Sequence, residues 1–275
     1  MTRKKLNLRL FALEIFMWLL ALVVLVPIAL IVINSLKTKP EANVMSLSLP
    51  QAWQWANYRT VVIEGRMATA FLNSLIITSG SVLVTNIAAA MGAFVLARRG
   101  GKLMRWTYLF FVIGLLAPIN FIPTIRIMQF FGIMNTYPGI ILLYTALMIP
   151  FTMFLYYGFV NTVPRDMDEA AVIDGSSAWT LFFRIQVPLM SPVIITGVLI
   201  SFMNAWNDFI LPLYFFNRSS RYPLTLAVYN FYGAYIASWN LVCAAIILTV
   251  LPILIVYVTG QKYIVSGMIA GAIKG

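Results

Sequence analysis

The chain has 275 residues, of which 61% are hydrophobic and 10% charged, with a mean hydropathy of +0.91. Soluble domains carry about 45–50% apolar and about 25% charged residues, so a water-soluble globule is excluded and a membrane protein is indicated. The net charge of +11 would suggest nucleic acid in a soluble domain, but here Lys and Arg sit at the ends of apolar runs, where membrane topology accounts for them.

A helix needs about 20 apolar residues to cross ~30 Å of hydrocarbon. Six runs meet that length, near 11–35, 69–97, 105–127, 139–160, 189–215 and 237–260. The expected architecture is an all-α membrane protein with six transmembrane helices in one domain, 1–275. The basic N-terminus leads into a run too long for a cleaved signal, so the first run is expected to be a retained span. Placing both termini in the cytoplasm puts twelve of the nineteen basic residues inside, among them Arg3, Lys4, Lys5, Arg98, Arg99, Lys102, Arg105, Arg165 and Arg184. That is the orientation the positive-inside bias favours.

Between the first two spans, Trp53, Trp55 and Tyr58 read as interfacial aromatics. Pro27, Pro118, Pro123, Pro138 and Pro150 punctuate the spans and suit kinked or discontinuous helices. The fifth span contains Asn204, Trp206, Asn207 and Asp208. An ionised Asp at mid-bilayer costs about 2.5–3.5 kcal/mol, so Asp208 should face a partner or water. These four residues are candidates for lining or gating a translocation path. They serve equally as interhelical glue. The segment 217–236, with Arg218, Arg221, Tyr222, Tyr229, Asn230, Tyr232 and Tyr235, reads as an aromatic belt. The tail from Gln261 is short and Gly-rich and reads as a loose end.

The stretch 161–188 interrupts all this. Four of the eight acidic residues fall in it: Asp166, Asp168, Glu169 and Asp174. Pro164 suits the start of a helix. The acids fall in its first turn, where the helix dipole favours them. Gly175 can end it with positive φ, and Ser176 or Ser177 can cap a second helix. Trp179, Phe182 and Phe183 then form an apolar stripe. The spacing predicts a helix–Gly turn–helix outside the bilayer.

That stretch resembles the EAA loop of ABC-importer permeases. Glu169-Ala170-Ala171, three residues, Gly175, nine residues, Ile185, one residue and Val187-Pro188 follow the pattern E-A-A-x3-G-x9-I-x-L-P, with Val187 in place of Leu. The resemblance covers nearly the whole chain and is to the smaller permease of the carbohydrate-uptake branch, as in maltose-type and glycerol-phosphate-type importers. It implies the type I importer permease fold in a bacterial cytoplasmic (inner) membrane. It also implies a second homologous permease, an ABC ATPase dimer, an extracytoplasmic solute-binding protein and a carbohydrate substrate as partners. Glu169, Ala170, Ala171, Asp174, Gly175, Ile185 and Pro188 would couple the ATPase to the bundle. The segment 217–236 would reach the binding protein, and Gly271, Lys274 and Gly275 of the tail would contact the ATPase.

The chain has no G-x-x-x-x-G-K-[ST], so ATP hydrolysis is expected in a partner and no catalytic residue is assigned here. Lone Cys243 and the absence of histidine leave no metal set, and no cofactor is expected. The competing reading is a self-sufficient, ion-coupled secondary transporter; the absence of evident internal repeats weighs against it.

Overall fold

Apolar runs without water to bond their backbone must satisfy every N–H and C=O internally, which selects helices. The computed structural model describes residues 8–229, 231 and 238–272, with backbone alone for Leu8, Leu10 and 262–272. The expected basic residues Arg3, Lys4 and Lys5, the aromatic-belt residues Asn230, Tyr232 and Tyr235, and the tail residues Lys274 and Gly275 lie outside the described residues. Among the described residues the regular structure is all helical. The principal helices are α1 (Leu8–Ser35), α2 (Lys39–Asn43), α3 (Ala56–Glu64), α4 (Met67–Arg98), α5 (Lys102–Gly114), α6 (Phe121–Phe130), α7 (Tyr137–Val160) and α8 (Asp166–Ile173). They continue with α9 (Ala178–Leu189), α10 (Ser191–Asn207), α11 (Ile210–Phe215), α12 (Leu224–Ala227) and α13 (Trp239–Ala272).

Among the described residues, four helices are long and apolar enough to cross a bilayer: Phe11–Ser35, Met67–Arg98, Tyr137–Val160 and Trp239–Gln261. The pair α9 and α10, bent by 77°, makes a fifth if it is one span. The expected run 105–127 is instead two helices of 13 and 10 residues. At 1.5 Å per residue each covers only about 15–20 Å, short of the hydrocarbon core. Pro118 explains the break: it lacks a donor and pushes the preceding residue out of helical conformation. The expected run 189–215 is also broken. Its helix stops at Asn207, and Asp208 is extended at φ −72°, ψ 132°. The tail was expected to be loose, but α13 runs on to Ala272. No proline follows Pro252, so nothing in the backbone stops the helix.

The described chain divides into two units, residues up to Ala68 with Ala227–Leu251, and Thr69–Leu226 with the chain from Pro252 onward. In the first unit, α1 is exposed along its whole length from Phe11 to Ala29. Its C-terminal end is instead buried, through Asn34, Ser35, Leu36 and Lys37. The buried Lys37 ammonium donates to Asn34 Oδ1 (3.2 Å), Ser46 O (2.7 Å) and Ser46 Oγ (3.0 Å), which offsets the cost of taking a charge from water. Asn57 ties the unit together. Its amide donates to the carbonyls of Ser35 (2.8 Å) and Lys37 (2.9 Å), while its oxygen accepts from Asn240 Nδ2 (3.0 Å). On the exposed α2, Glu41 accepts from the Thr38 hydroxyl and amide and from the Gln51 amide. These bonds hold its carboxyl below the usual carboxylate range.

In the second unit, α4 presents a buried stripe of small residues: Ser74, Thr78, Ser81, Thr85, Ala89, Ala93 and Ala97. Recurring every third or fourth position, they share one helix face and let neighbouring backbones approach closely, the usual device for packing helices in lipid. Met153, Tyr156 and Val160 of α7 and Met190 and Val193 at the α9–α10 bend complete this core. Tyr156 is fully buried; its hydroxyl donates to Asn86 Oδ1 on α4 and to Ile194 O (3.3 Å) on α10. Gly197 makes room for that ring, because any Cβ there would strike the Tyr156 hydroxyl.

Gly197→Leu should therefore force α10 away from α7 and lower the thermal unfolding midpoint of the detergent-solubilised protein sharply. Tyr156→Phe, which loses only membrane-buried hydrogen bonds, should cost about 0.6–1.7 kcal/mol. Equal midpoint losses for the two variants would show that close approach at Gly197 is not what holds these helices.

Candidate functional site

The acidic stretch folds as the sequence predicts, with α8 starting two residues beyond Pro164. Asp166, Asp168 and Glu169 occupy the first turn of α8. Gly175 has φ +79°. Gly175 N–H bonds to Val172 O (3.0 Å) and Ser176 N–H to Ala171 O (2.9 Å), the paired bonds of a Schellman end. A Cβ on Gly175 would meet nothing within 4 Å, so glycine is required there for its backbone conformation and not for space within the chain. Ser177 Oγ then accepts from Thr180 N–H (3.2 Å) and caps α9. Inside α9, Leu181–Gln186 is π-helical, and this segment carries Ile185.

The loop is locked to the end of α4. Arg98, in the last turn of α4, pairs with Asp168 at 2.5 Å, and both side chains are nearly buried. The carboxylate also accepts from Nε2 of Gln186, a fully buried side chain on α9. Arg98 further donates to Val163 O (3.1 Å), and Arg165 to Ala97 O (3.2 Å). One carboxylate thus joins three helices. Sequence reasoning took Arg98 only as a topological anchor and passed over Gln186. The available signal was one uncharged polar residue in the apolar run Leu181-Phe182-Phe183-Arg184-Ile185-Gln186-Val187.

Of the sequence-predicted residues here, Ala171 is buried. Glu169, Ala170, Asp174, Gly175 and Pro188 are exposed, and Ile185 is half-buried. Among the described residues, no partner is found for the Glu169 carboxylate. Around it large apolar side chains also stand free, with Ile173 at 85%, Trp179 at 63% and Val172 at 60% of full exposure. Trp179 and Phe183 stack at 5.8 Å. Apolar groups clustered beside charges make this a candidate interaction surface.

A second site lies where α10 ends. Asn204 and Asn207 share a face of α10 at i and i+3, and Asp208 follows in the extended break. With Ile119, Tyr144 and Met148 they line an open groove of about 620 Å³. The Asp208 carboxylate accepts from the Tyr144 hydroxyl (2.8 Å) and from the N–H groups of Ile210 (2.9 Å) and Leu211 (3.2 Å). It therefore serves as the cap that starts α11. Its backbone carbonyl accepts from the Thr225 hydroxyl (2.8 Å). Trp206 does not join this group. It is buried on another face, edge-on to Phe71 (6.0 Å) and stacked on Phe202 (5.3 Å).

Residues 217–226 are fastened to the N-terminal part of α4. Asn73 Nδ2 donates to the carbonyls of Ser220 and Tyr222 (both 3.0 Å). Its Oδ1 accepts from the Tyr137 hydroxyl (2.8 Å), and Ser74 Oγ accepts from Leu224 N–H (2.8 Å). Of the tail candidates, Gly271 falls within α13.

Apolar helices of membrane length, a polar groove at a helix break and an exposed apolar–acidic surface on α8 and α9 together fit a membrane transport protein. The chain belongs to the family described as "Binding-protein-dependent transport system inner membrane component", whose model matches residues 86–270. It is 34% identical over 257 residues to the probable starch degradation products transport system permease protein AmyC of Thermoanaerobacterium thermosulfurigenes, covering 93% of each chain. It is 33% identical to the diacetylchitobiose uptake system permease protein NgcG of Streptomyces coelicolor, over 92% of this chain and 85% of that one. It is also 31% identical to the melibiose/raffinose/stachyose import permease protein MelC of Bacillus subtilis, over 91% of each. Its fold is similar to that in a crystal structure of a bacterial ABC transporter involved in importing the acidic polysaccharide alginate. That match has TM-score 0.83 and 20% identity, covering 95% of this chain and 99% of that one.

Arg98→Ala should strand the Asp168 carboxylate and cost about 3–5 kcal/mol, the usual penalty for breaking a buried pair. Arg98→Met with Asp168→Asn keeps an acceptor for Gln186 without charge and should recover most of that loss. Thermal unfolding of the three proteins checks this, and a double variant no better than the single would show that the ion pair is not what anchors α8.

Proposed function

We propose that the chain is the transmembrane permease subunit of an ATP-driven carbohydrate importer in a bacterial cytoplasmic membrane. It crosses the bilayer six times with both termini in the cytoplasm. The broken pair α5–α6 and the interrupted α10–α11 path supply the spans that single straight helices do not. A second, homologous permease completes the translocation path, an ABC ATPase dimer drives it, and a solute-binding protein delivers the carbohydrate. Relatives whose names specify starch products, diacetylchitobiose and melibiose support that substrate class.

The observation that carries the reading is the locked, exposed surface of α8 and α9. Glu169, Ala170, Asp174 and Gly175, with Ile173 and Trp179, form the face that docks on the ATPase. Apolar side chains give this face its adhesion, and the free Glu169 carboxylate accepts a charge-assisted hydrogen bond from a basic partner residue. Arg98, Asp168 and Gln186 make the face rigid with respect to α4, so a movement of the ATPase is transmitted to the bundle and is not absorbed in the loop. Gly271, Lys274 and Gly275 add a second contact from the tail.

Affinity purification from native membranes tests the docking face. Wild type should bring down an ATPase and a second permease; Glu169→Lys and Ile173→Asp should keep the permease and lose the ATPase. ATPase retention in both variants would remove the docking role. Wild type that purifies alone and transports in liposomes without ATP would instead establish the ion-coupled reading.

Asn204, Asn207 and Asp208 are proposed to line the path, offering amide and carboxylate groups to sugar hydroxyls, with Trp206 as packing support. Asn204→Ala and Asn207→Ala should lower uptake of labelled carbohydrate into vesicles several-fold with the assembly intact. Trp206→Leu should reduce the yield of assembled complex. Unchanged uptake in both Asn variants would assign the groove a structural role.

A further inference from the structure

The turn between α4 and α5 carries Arg99, Gly100 and Gly101, which line a cavity of about 510 Å³. Arg99 and Arg105 line this cavity from the turn and the first turn of α5. Arg165 lines it from the start of the α8 loop, and Asn161 from the end of α7. Its floor is the stacked pair Tyr108 and Tyr157, with ring centroids 4.0 Å apart. No carboxylate lines it. Among the described residues the one ion pair is Arg98–Asp168, so neither Arg99 nor Arg105 is neutralised.

Two further features sharpen the chemistry. The helix α5 begins at Gly101, which has φ +114° and no side chain to cap it, and the first turn holds no acid. Its leading amides therefore add positive potential beside the arginines. Arg105, Leu109 and Ile113 are spaced by four residues and run up one face of α5. Leu109 lines the cavity and Ile113 is exposed, with exposed Trp106 and Phe110 alongside. A cluster of arginines thus opens onto an apolar track. A loop whose basic residues served only to set topology would need no cavity and no track.

We propose that this pocket binds the phosphodiester headgroup of an anionic phospholipid, with an acyl chain lying along Leu109 and Ile113. Arginine forks match phosphate oxygens bidentately, and basic pockets between membrane helices on the cytoplasmic side recognise such headgroups. Arg165 also donates to Ala97 O and immediately precedes α8, so the bound headgroup steadies the seat of the docking face. Anionic lipid thereby supports coupling to the ATPase. The cytoplasmic position of the pocket rests on the orientation and function proposed above.

The test uses the assembly purified from its membranes. Native mass spectrometry after exchange into phosphatidylcholine with phosphatidylglycerol should show phosphatidylglycerol retained on wild type. Arg99→Gln with Arg105→Gln should weaken that retention at least tenfold, at roughly fivefold per arginine near a membrane surface. In vesicles, phosphatidylglycerol should raise wild-type ATPase activity and leave the double variant unmoved, and inorganic phosphate added to phosphatidylcholine vesicles should not substitute for it. Equal retention by wild type and variant overturns the site, and rescue by inorganic phosphate overturns the lipid as its occupant. Arg165→Gln, on a different element, guards against misfolding of the α4–α5 turn and should show the same loss of retention. Retention is read by mass and needs no transport. It therefore stands or falls separately from the importer reading, which fails if no ATPase accompanies wild type.

Discussion

One nearly buried ionic contact, between Arg98 and Asp168, ties the α8–α9 segment to the end of α4. Desolvating both charges is expensive, and further hydrogen bonds to each partner offset part of that cost. Gln186 donates to the carboxylate, and Arg98 reaches the Val163 carbonyl as well. The contact lies at the last turn of α4, where the helix dipole favours a cation, and the first turn of α8, where it favours an anion. Both helix ends are thus complemented by a single pair. The consequence is mechanical: α8 and α9 cannot swing relative to α4 without exposing an unpaired charge, so the surface they carry behaves as part of the helix bundle.

A second constraint applies where an apolar helix breaks. Broken helices leave backbone groups without intrahelical partners, and lipid supplies none. At the α10–α11 break the Asp208 carboxylate takes up two of those amides and Thr225 engages the carbonyl. An acid that looks costly in a span is therefore the reason the span can be interrupted. The interruption opens the groove that Asn204 and Asn207 line. Of the two roles the sequence left open, these hydrogen bonds belong to the structural one, and path lining is the role proposed for the groove.

The first unit uses the same accounting at an interface. Lys37 is buried without an acid in hydrogen-bonding contact, and carbonyl and hydroxyl oxygens from Ser46 with Asn34 stand in for water. Asn57 spends donor and acceptor on α1 and α13 together. In the second unit small residues do what polar ones do here. The Ser, Thr and Ala stripe of α4 gains its stability from close backbone approach, since lipid is as apolar as the side chains and no hydrophobic force separates helix from solvent.

Much was legible without coordinates, and for one reason: it was local. Membrane class followed from composition. The helix–turn–helix at 161–188 followed from acids at a helix start, a glycine able to adopt positive φ and a serine able to cap. These preferences act within one turn of chain, so residue identity alone determines them. Pro118 likewise carried the break between α5 and α6, although hydropathy summed over 105–127 concealed it. Tertiary structure alone decided the rest. Arg98 and Asp168 are seventy positions apart, and so nearly are Tyr144 and Asp208; which side chains meet depends on how helices cross. Trp206 turns away from its neighbours because 100° per residue places it on another face, and packing chose which face looks into the groove. Local propensity builds each helix, but the pairing of polar groups between helices is fixed only when their surfaces come together.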